Sequence, residues 1–323
     1  MCPDSPYRAL PLLLCRGVFW EYPPPFHYRA DSSFGRNFRM LNPLPRDRRE
    51  FLLNAGRAAA ALLLGLAGCR HAQKAPLTEL PARHSIQSEQ LVVLSDFRLR
   101  FDHPLIADLA ALRREVSESL ELKLNGKPVL VYLFSNEEQY QTYLHETYPS
   151  LPPRRAYFIG TPYELAVYTY WGERIQEDLR HEFTHGLLHS GLKAVPLWLD
   201  EGLAEYFEVV TEASPPINEV SAKHLAAAKR RGWRPGLERL ESLNDVSQMT
   251  QADYQESWAW VHFMLHSSPE TREVLLGYLQ ELRTTSDPGS LQKRLRATTP
   301  ALDEHFLSYV EDLTASTSTT ARR

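Results

Sequence analysis

Two histidines with a glutamate between them, His181-Glu182-Phe183-Thr184-His185, are the residues of this 323-residue chain best placed to do chemistry. At about 100° per residue on a helix the histidines stand roughly 40° apart on one face, one turn above the other, so both imidazoles can reach a single ion. Glu182 falls about 60° round from His185, where its carboxylate can touch a water held by the metal without ligating the metal, the position of a general base. Ile175, Leu179, Phe183 and Leu187 form a ladder on the opposite face, which predicts a helix seated on a core with the histidines off the buried stripe. Catalytic zinc sites use three protein ligands and leave one position to water, so a third ligand must come from elsewhere.

The segment Trp198-Leu-Asp-Glu-Gly-Leu-Ala-Glu-Tyr-Phe-Glu208 supplies candidates. Glu201, Glu205 and Glu208 share one helical face, and Leu203, Tyr206, Phe207 and Val210 take the other. Like charges at this spacing repel by a few tenths of a kcal/mol per pair unless a cation compensates, and a nearby metal with its histidines would be that cation. His189, one turn beyond His185, is the alternative third ligand. Gly191 and Pro196 mark a short turn between the two segments.

Together, His181-Glu-Phe-Thr-His185 and Pro196-Leu-Trp-Leu-Asp-Glu-Gly-Leu-Ala-Glu-Tyr-Phe207 resemble the gluzincin metallopeptidases, the thermolysin-like and aminopeptidase clan. The likeness is nearest to a bacterial family in the peptidase-MA-like superfamily and covers roughly residues 90–313. The resemblance implies one Zn2+ ion held by His181, His185 and Glu201, with Glu182 as the base. It also implies that Glu205, one turn after Glu201, orients a ligating histidine, with Asp178 as the rival for that task. The metzincin pattern fails, because its third histidine would fall at Gly191.

The elements that must position these residues can be read in outline. Leu91-Val-Val-Leu94 is a short strand, and Leu105, Leu109, Leu112, Val116 and Leu120 recur at helical spacing. Pro128 to Phe134 is nearly all apolar and reads as a central strand. Ser135-Asn-Glu-Glu138 reads as a capping box for a helix ending near Tyr148-Pro149. Residues 155–159 and 165–170 read as strands joined by a turn at Gly160-Thr-Pro162. The resemblance makes 164–170 the edge on which an extended substrate would pair, the other reading being a plain hairpin strand. From residue 191 the chain is helical, over 199–211, 219–231, 252–267, 270–283, 289–296 and 300–313, with a disordered tail at 314–323. Tyr254 and His262 are candidates to steady a developing oxyanion, against the alternative that both are core residues with satisfied polar tips.

A hydrophobic share of 43%, a charged share of 24% and a net charge of −4 describe a soluble globular protein of one or two domains and offer no basic stripe for nucleic acid. Residues 1–39 have neither period nor cap, and the natural start is expected at Met40. Residues 40–68 read as an export signal. Arg48-Arg49 with Phe51-Leu52 resembles a twin-arginine motif, with Asp47 and Leu53 as departures, and Leu66-Ala-Gly-Cys69 resembles a lipobox, implying a lipid anchor at Cys69. Cys2, Cys15 and Cys69 are the only cysteines, so none remains after Cys69 for a disulfide or a thiolate site. Residues 69–88 read as a tether. The remainder, 89–313, is expected to be an α+β gluzincin-like domain: an α/β half with a small mixed sheet over 89–190, then a helical half over 191–313 closing the cleft. The expected function is zinc-dependent cleavage of peptide or protein substrates in the cell envelope, the alternative being a catalytically silent zinc- or peptide-binding lipoprotein on the same fold.

Overall fold

A computed structural model of the chain describes residues 13–14, 78–124, 126–210 and 215–320. The expected start at Met40, the export signal and the lipobox at Cys69 lie outside the described residues. The first half contains β1 (Leu13–Leu14), β2 (His84–Ser88), β3 (Leu91–Ser95), α1 (Pro104–Ser119), β4 (Val129–Phe134), α2 (Glu137–Thr147), β5 (Ala156–Gly160) and β6 (Leu165–Tyr170). Across the sheet the order is β1-β5-β6-β4-β3-β2; β4 runs parallel to both its neighbours and the remaining pairs are antiparallel.

Helices cover both faces of this sheet, which is why β4 is apolar throughout. Val129, Val131 and Leu133 enter the main core with Leu109, Leu112 and Val116 of α1. Tyr132 and Phe134 face the other way, into a second core with Tyr140, Tyr143 and Leu144 of α2.

Three expectations are corrected here. β6 lies between β4 and β5 and is paired on both sides, so 164–170 is not an edge; β5 is the outer strand of the hairpin, flanked among the described residues by the two residues of β1. Leu165 to Thr169 are all buried, which suits an inner position. His84–Ser88, expected within the tether, is a strand in register with β3, and only Ile86 of its five residues is buried, so its alternation is too weak to stand out. The cap of α2 is Asn136, whose side chain accepts from the Gln139 N–H, rather than Ser135.

The second half contains α3 (Ile175–Gly191), α4 (Leu197–Phe207), α5 (Glu219–Arg230), α6 (Leu237–Ser242), a 3-10 turn at Val246–Gln248, α7 (Gln251–His266), α8 (Pro269–Leu282), α9 (Leu291–Thr298) and α10 (Leu302–Thr320). The expected tail continues α10 to Thr320, since adding residues to a formed helix costs little even through Ser and Thr. α7 is the central helix of this half, buried from Asp253 to Leu265. The chain is thus an α+β protein with a small mixed sheet and a mostly helical C-terminal half.

Two glycines set the depth of the helices that carry the site. A Cβ on Gly186 of α3 would lie 2.5 Å from Val129 Cγ1, so α3 rests directly on β4. A Cβ on Gly202 of α4 would lie 2.6 Å from the Ser257 carbonyl oxygen, so α4 lies equally close on α7.

Candidate metal centre

α3 starts without a side-chain cap, and Glu177 and Asp178 in its first turn supply the negative charge that its N-terminus favours. Asp178 receives Arg155 Nη2 and Nε at 2.7 and 2.9 Å, fastening the helix start to β5. It therefore does not orient a histidine, contrary to the rival role given it above. The expectation that the histidines stand off the buried stripe is also corrected: the sheet covers one side of α3 and α4 the other, leaving His181 5%, Glu182 1% and His185 0% exposed.

Leu192 to Pro196 turn the chain back so that α4 lies along α3, and Glu201 enters between the histidines. Its Oε2 is 3.6 Å from His181 Nε2 and 3.8 Å from His185 Nε2. These ligand atoms all lie within 4.8 Å of one another. His181 Nε2, His185 Nε2 and both Glu201 carboxylate oxygens are buried without a hydrogen-bond partner. Each such orphan costs on the order of 1–3 kcal/mol, and a cation bound among them would remove that cost. Donor separations of 3.6 and 3.8 Å suit an ion bound about 2.0–2.2 Å from each. This group can hold a metal ion.

Carboxylates stand at the other ring nitrogens. His181 Nδ1 is hydrogen-bonded to Glu208 Oε2 at 2.8 Å, whereas His185 Nδ1 lies 3.1 Å from Asp200 Oδ1, an ion-pair contact without hydrogen-bond geometry. A carboxylate bonded to Nδ1, as at His181, favours the proton there and directs Nε2 toward the centre. Asp200 Oδ2 meets His189 Nε2 at 3.0 Å, so His189 braces Asp200 rather than ligating a metal, and the Phe158 ring stacks on both His185 and His189. Glu208 thus makes the contact to a histidine that was expected of Glu205. Glu205 is itself buried close to His181 and Glu208, with Oε2 lacking a partner. The signal for Glu208 was its place seven residues after Glu201 on the same face; Asp200, beside the ligand in sequence, offered none.

Glu182 directs Oε2 at the Phe158 N–H of β5, 2.7 Å away. Burial raises its pKa to about 7, an effect the two histidines oppose and Glu201 reinforces. Burial lowers the pKa of His181, yet Glu201 and Glu208 carry it well above its ordinary value. For His185, burial is likewise outweighed, by Asp200 and Glu201. Burial disfavours the Asp200 anion, but His185 and His189 hold its pKa below the usual carboxylate range. Burial, with Glu208, pushes Glu205 well up. The centre is rich in carboxylate and suits a positive charge.

His262, an expected oxyanion donor, is 0% exposed; its Nδ1 meets the Tyr309 hydroxyl at 2.7 Å, Tyr206 and Trp258 flank the ring, and its Nε2 is buried without a hydrogen-bond partner. Tyr254 is buried on α7, one turn before the Ser257 carbonyl that abuts Gly202. No protein-family model and no curated protein matches the chain, so the reading of this centre rests on its own geometry.

Proposed function

We propose that the chain is a zinc-dependent peptidase of the gluzincin type. The observation that carries this reading is the convergence of buried, unpartnered His181 Nε2, His185 Nε2 and Glu201 carboxylate atoms beside a glutamate, Glu182, that belongs to none of their contacts. His181, His185 and Glu201 would hold Zn2+, which would supply a Lewis acid to acidify a water and polarise a scissile carbonyl. Glu182 would serve as the base that accepts a proton and passes it to the leaving amine. Phe158 N–H fixes the carboxylate in place. Tyr254 and His262 are the candidates to steady the oxyanion. A lipid at Cys69, proposed from Leu66-Ala-Gly-Cys69, would anchor the enzyme to a membrane of the cell envelope.

One observation favours the alternative, a silent zinc- or peptide-binding protein: Glu182, His185 and Glu201 are at most 1% exposed, so a substrate must displace something to reach them. Glu182→Gln separates the two. It keeps the shape but cannot accept a proton at neutral pH. Hydrolysis of an unbiased peptide library by the zinc-loaded protein should fall about 10²–10⁴-fold while zinc stoichiometry stays the same. Equal cleavage by both proteins would refute Glu182 as the base, and no cleavage by a fully loaded wild type would favour the silent reading.

A further inference from the structure

The residue before the first histidine, Arg180, is 5% exposed and uses each part of its guanidinium differently. Nη1 donates to Asp108 Oδ1 and Nη2 to Glu115 Oε2, both at 3.0 Å and both on α1. Nε donates to the Phe207 carbonyl at 2.9 Å. That carbonyl is among the last of α4, where intrahelical partners run out and a cation is favoured by the helix dipole. It also belongs to the peptide unit leading into Glu208, the carboxylate on His181 Nδ1.

We propose that Arg180 is a positioning residue for the metal centre: with its fork fixed on α1, it grips the end of α4 through Phe207 and so holds Glu208 on His181. One side chain thereby links the helix that supplies the histidines, the helix that supplies Glu201, and α1. Lysine keeps the charge but cannot direct three donors along these three lines. Burial of an arginine merely to fasten helices would leave the metal affinity of the folded protein untouched; a positioning role would not.

The inference rests on the metal reading, and zinc affinity of the full chain, measured by competition with a chromophoric chelator, tests it. Arg180→Lys and Glu208→Gln should each weaken zinc binding about 10–100-fold, as loss of an outer partner of a ligand does. If Arg180 acts through Glu208, the double variant should bind about as weakly as Glu208→Gln alone. Wild-type affinity in folded Arg180→Lys, or a double loss equal to the product of the single ones, would overturn the proposal while leaving the zinc site standing. A wild type that takes up no zinc overturns both. Should Arg180→Lys fail to fold, Asp108→Asn loosens the guanidinium without leaving a buried charge unpaired; it should weaken zinc binding severalfold in the wild-type background and not in Glu208→Gln, and an unchanged affinity would again overturn the proposal.

Discussion

Two buried helices of this protein each carry histidines four residues apart, and they are put to opposite use. On α3, His181 and His185 look into Glu201, Glu208 and Asp200, which raise their pKa values against the pull of burial. On α7, His262 looks into Tyr206, Trp258 and Tyr309, and burial lowers its pKa to about 3, while His266 at the surface pairs with the Tyr206 hydroxyl. Spacing is the same in both places. What separates a pair that can hold a metal from a packed one is the charge brought by the neighbouring helix.

The comparison is broken most severely by exchanging one histidine of each pair for a ring of similar size. His181→Phe should lose zinc by more than 100-fold in affinity, the first-shell effect exceeding that of an outer partner. His262→Phe should keep wild-type affinity, since the ring lies against Tyr206 and Trp258, and Tyr309, on losing Nδ1, can still donate to the backbone carbonyl of residue 262. Chelator competition reads both; equal losses would mean that α7 also serves the metal.

A smaller effect sharpens the role of the carboxylates. Glu208→Gln and Asp200→Asn keep shape but remove the charge behind each imidazole, and each should weaken zinc binding about 10–100-fold. If either leaves the affinity unchanged, its contact with the ring is not what sets the tautomer.

The smallest effect is in stability and comes from the other pair. Unfolded, His262 titrates near its ordinary value of 6.5; folded, near 3. The unfolded chain therefore binds a proton that the folded chain refuses, so stability falls as pH drops from about 6.5 toward 3, by at most ~1.4 kcal/mol per pH unit. Urea unfolding of the wild type and His262→Phe between pH 7 and pH 5 should show this slope reduced in the variant. Parallel pH dependence in the two would contradict a neutral buried His262.

Much of this arrangement was legible in the chain itself. His181, Glu182 and His185 declare themselves by spacing, and the central strand by an apolar run that only a doubly covered strand can carry. The acidic face of α4 pointed to a cation without saying which carboxylate meets which atom. That choice depends on how closely α3 rests on β4 and α4 on α7, which Gly186 and Gly202 set and periodicity does not record. Asp200 was hidden because it lies a 100° turn from Glu201 and serves His185 and His189 from beside the ligand. Asp178 was misread because Arg155, its partner, is distant in sequence. The order of β5 and β6 is a matter of pairing, and a hairpin reads the same from either strand.

The most direct test of the central claim, that His181, His185 and Glu201 hold one metal ion, is a zinc titration of the full chain beside Glu201→Gln and Glu205→Gln. One ion per wild-type chain is expected, with affinity more than 100-fold weaker in Glu201→Gln and no more than an outer-residue loss, about 10–100-fold, in Glu205→Gln. A wild type that binds no zinc, or a Glu201→Gln protein that binds it as tightly as the wild type, would contradict the account.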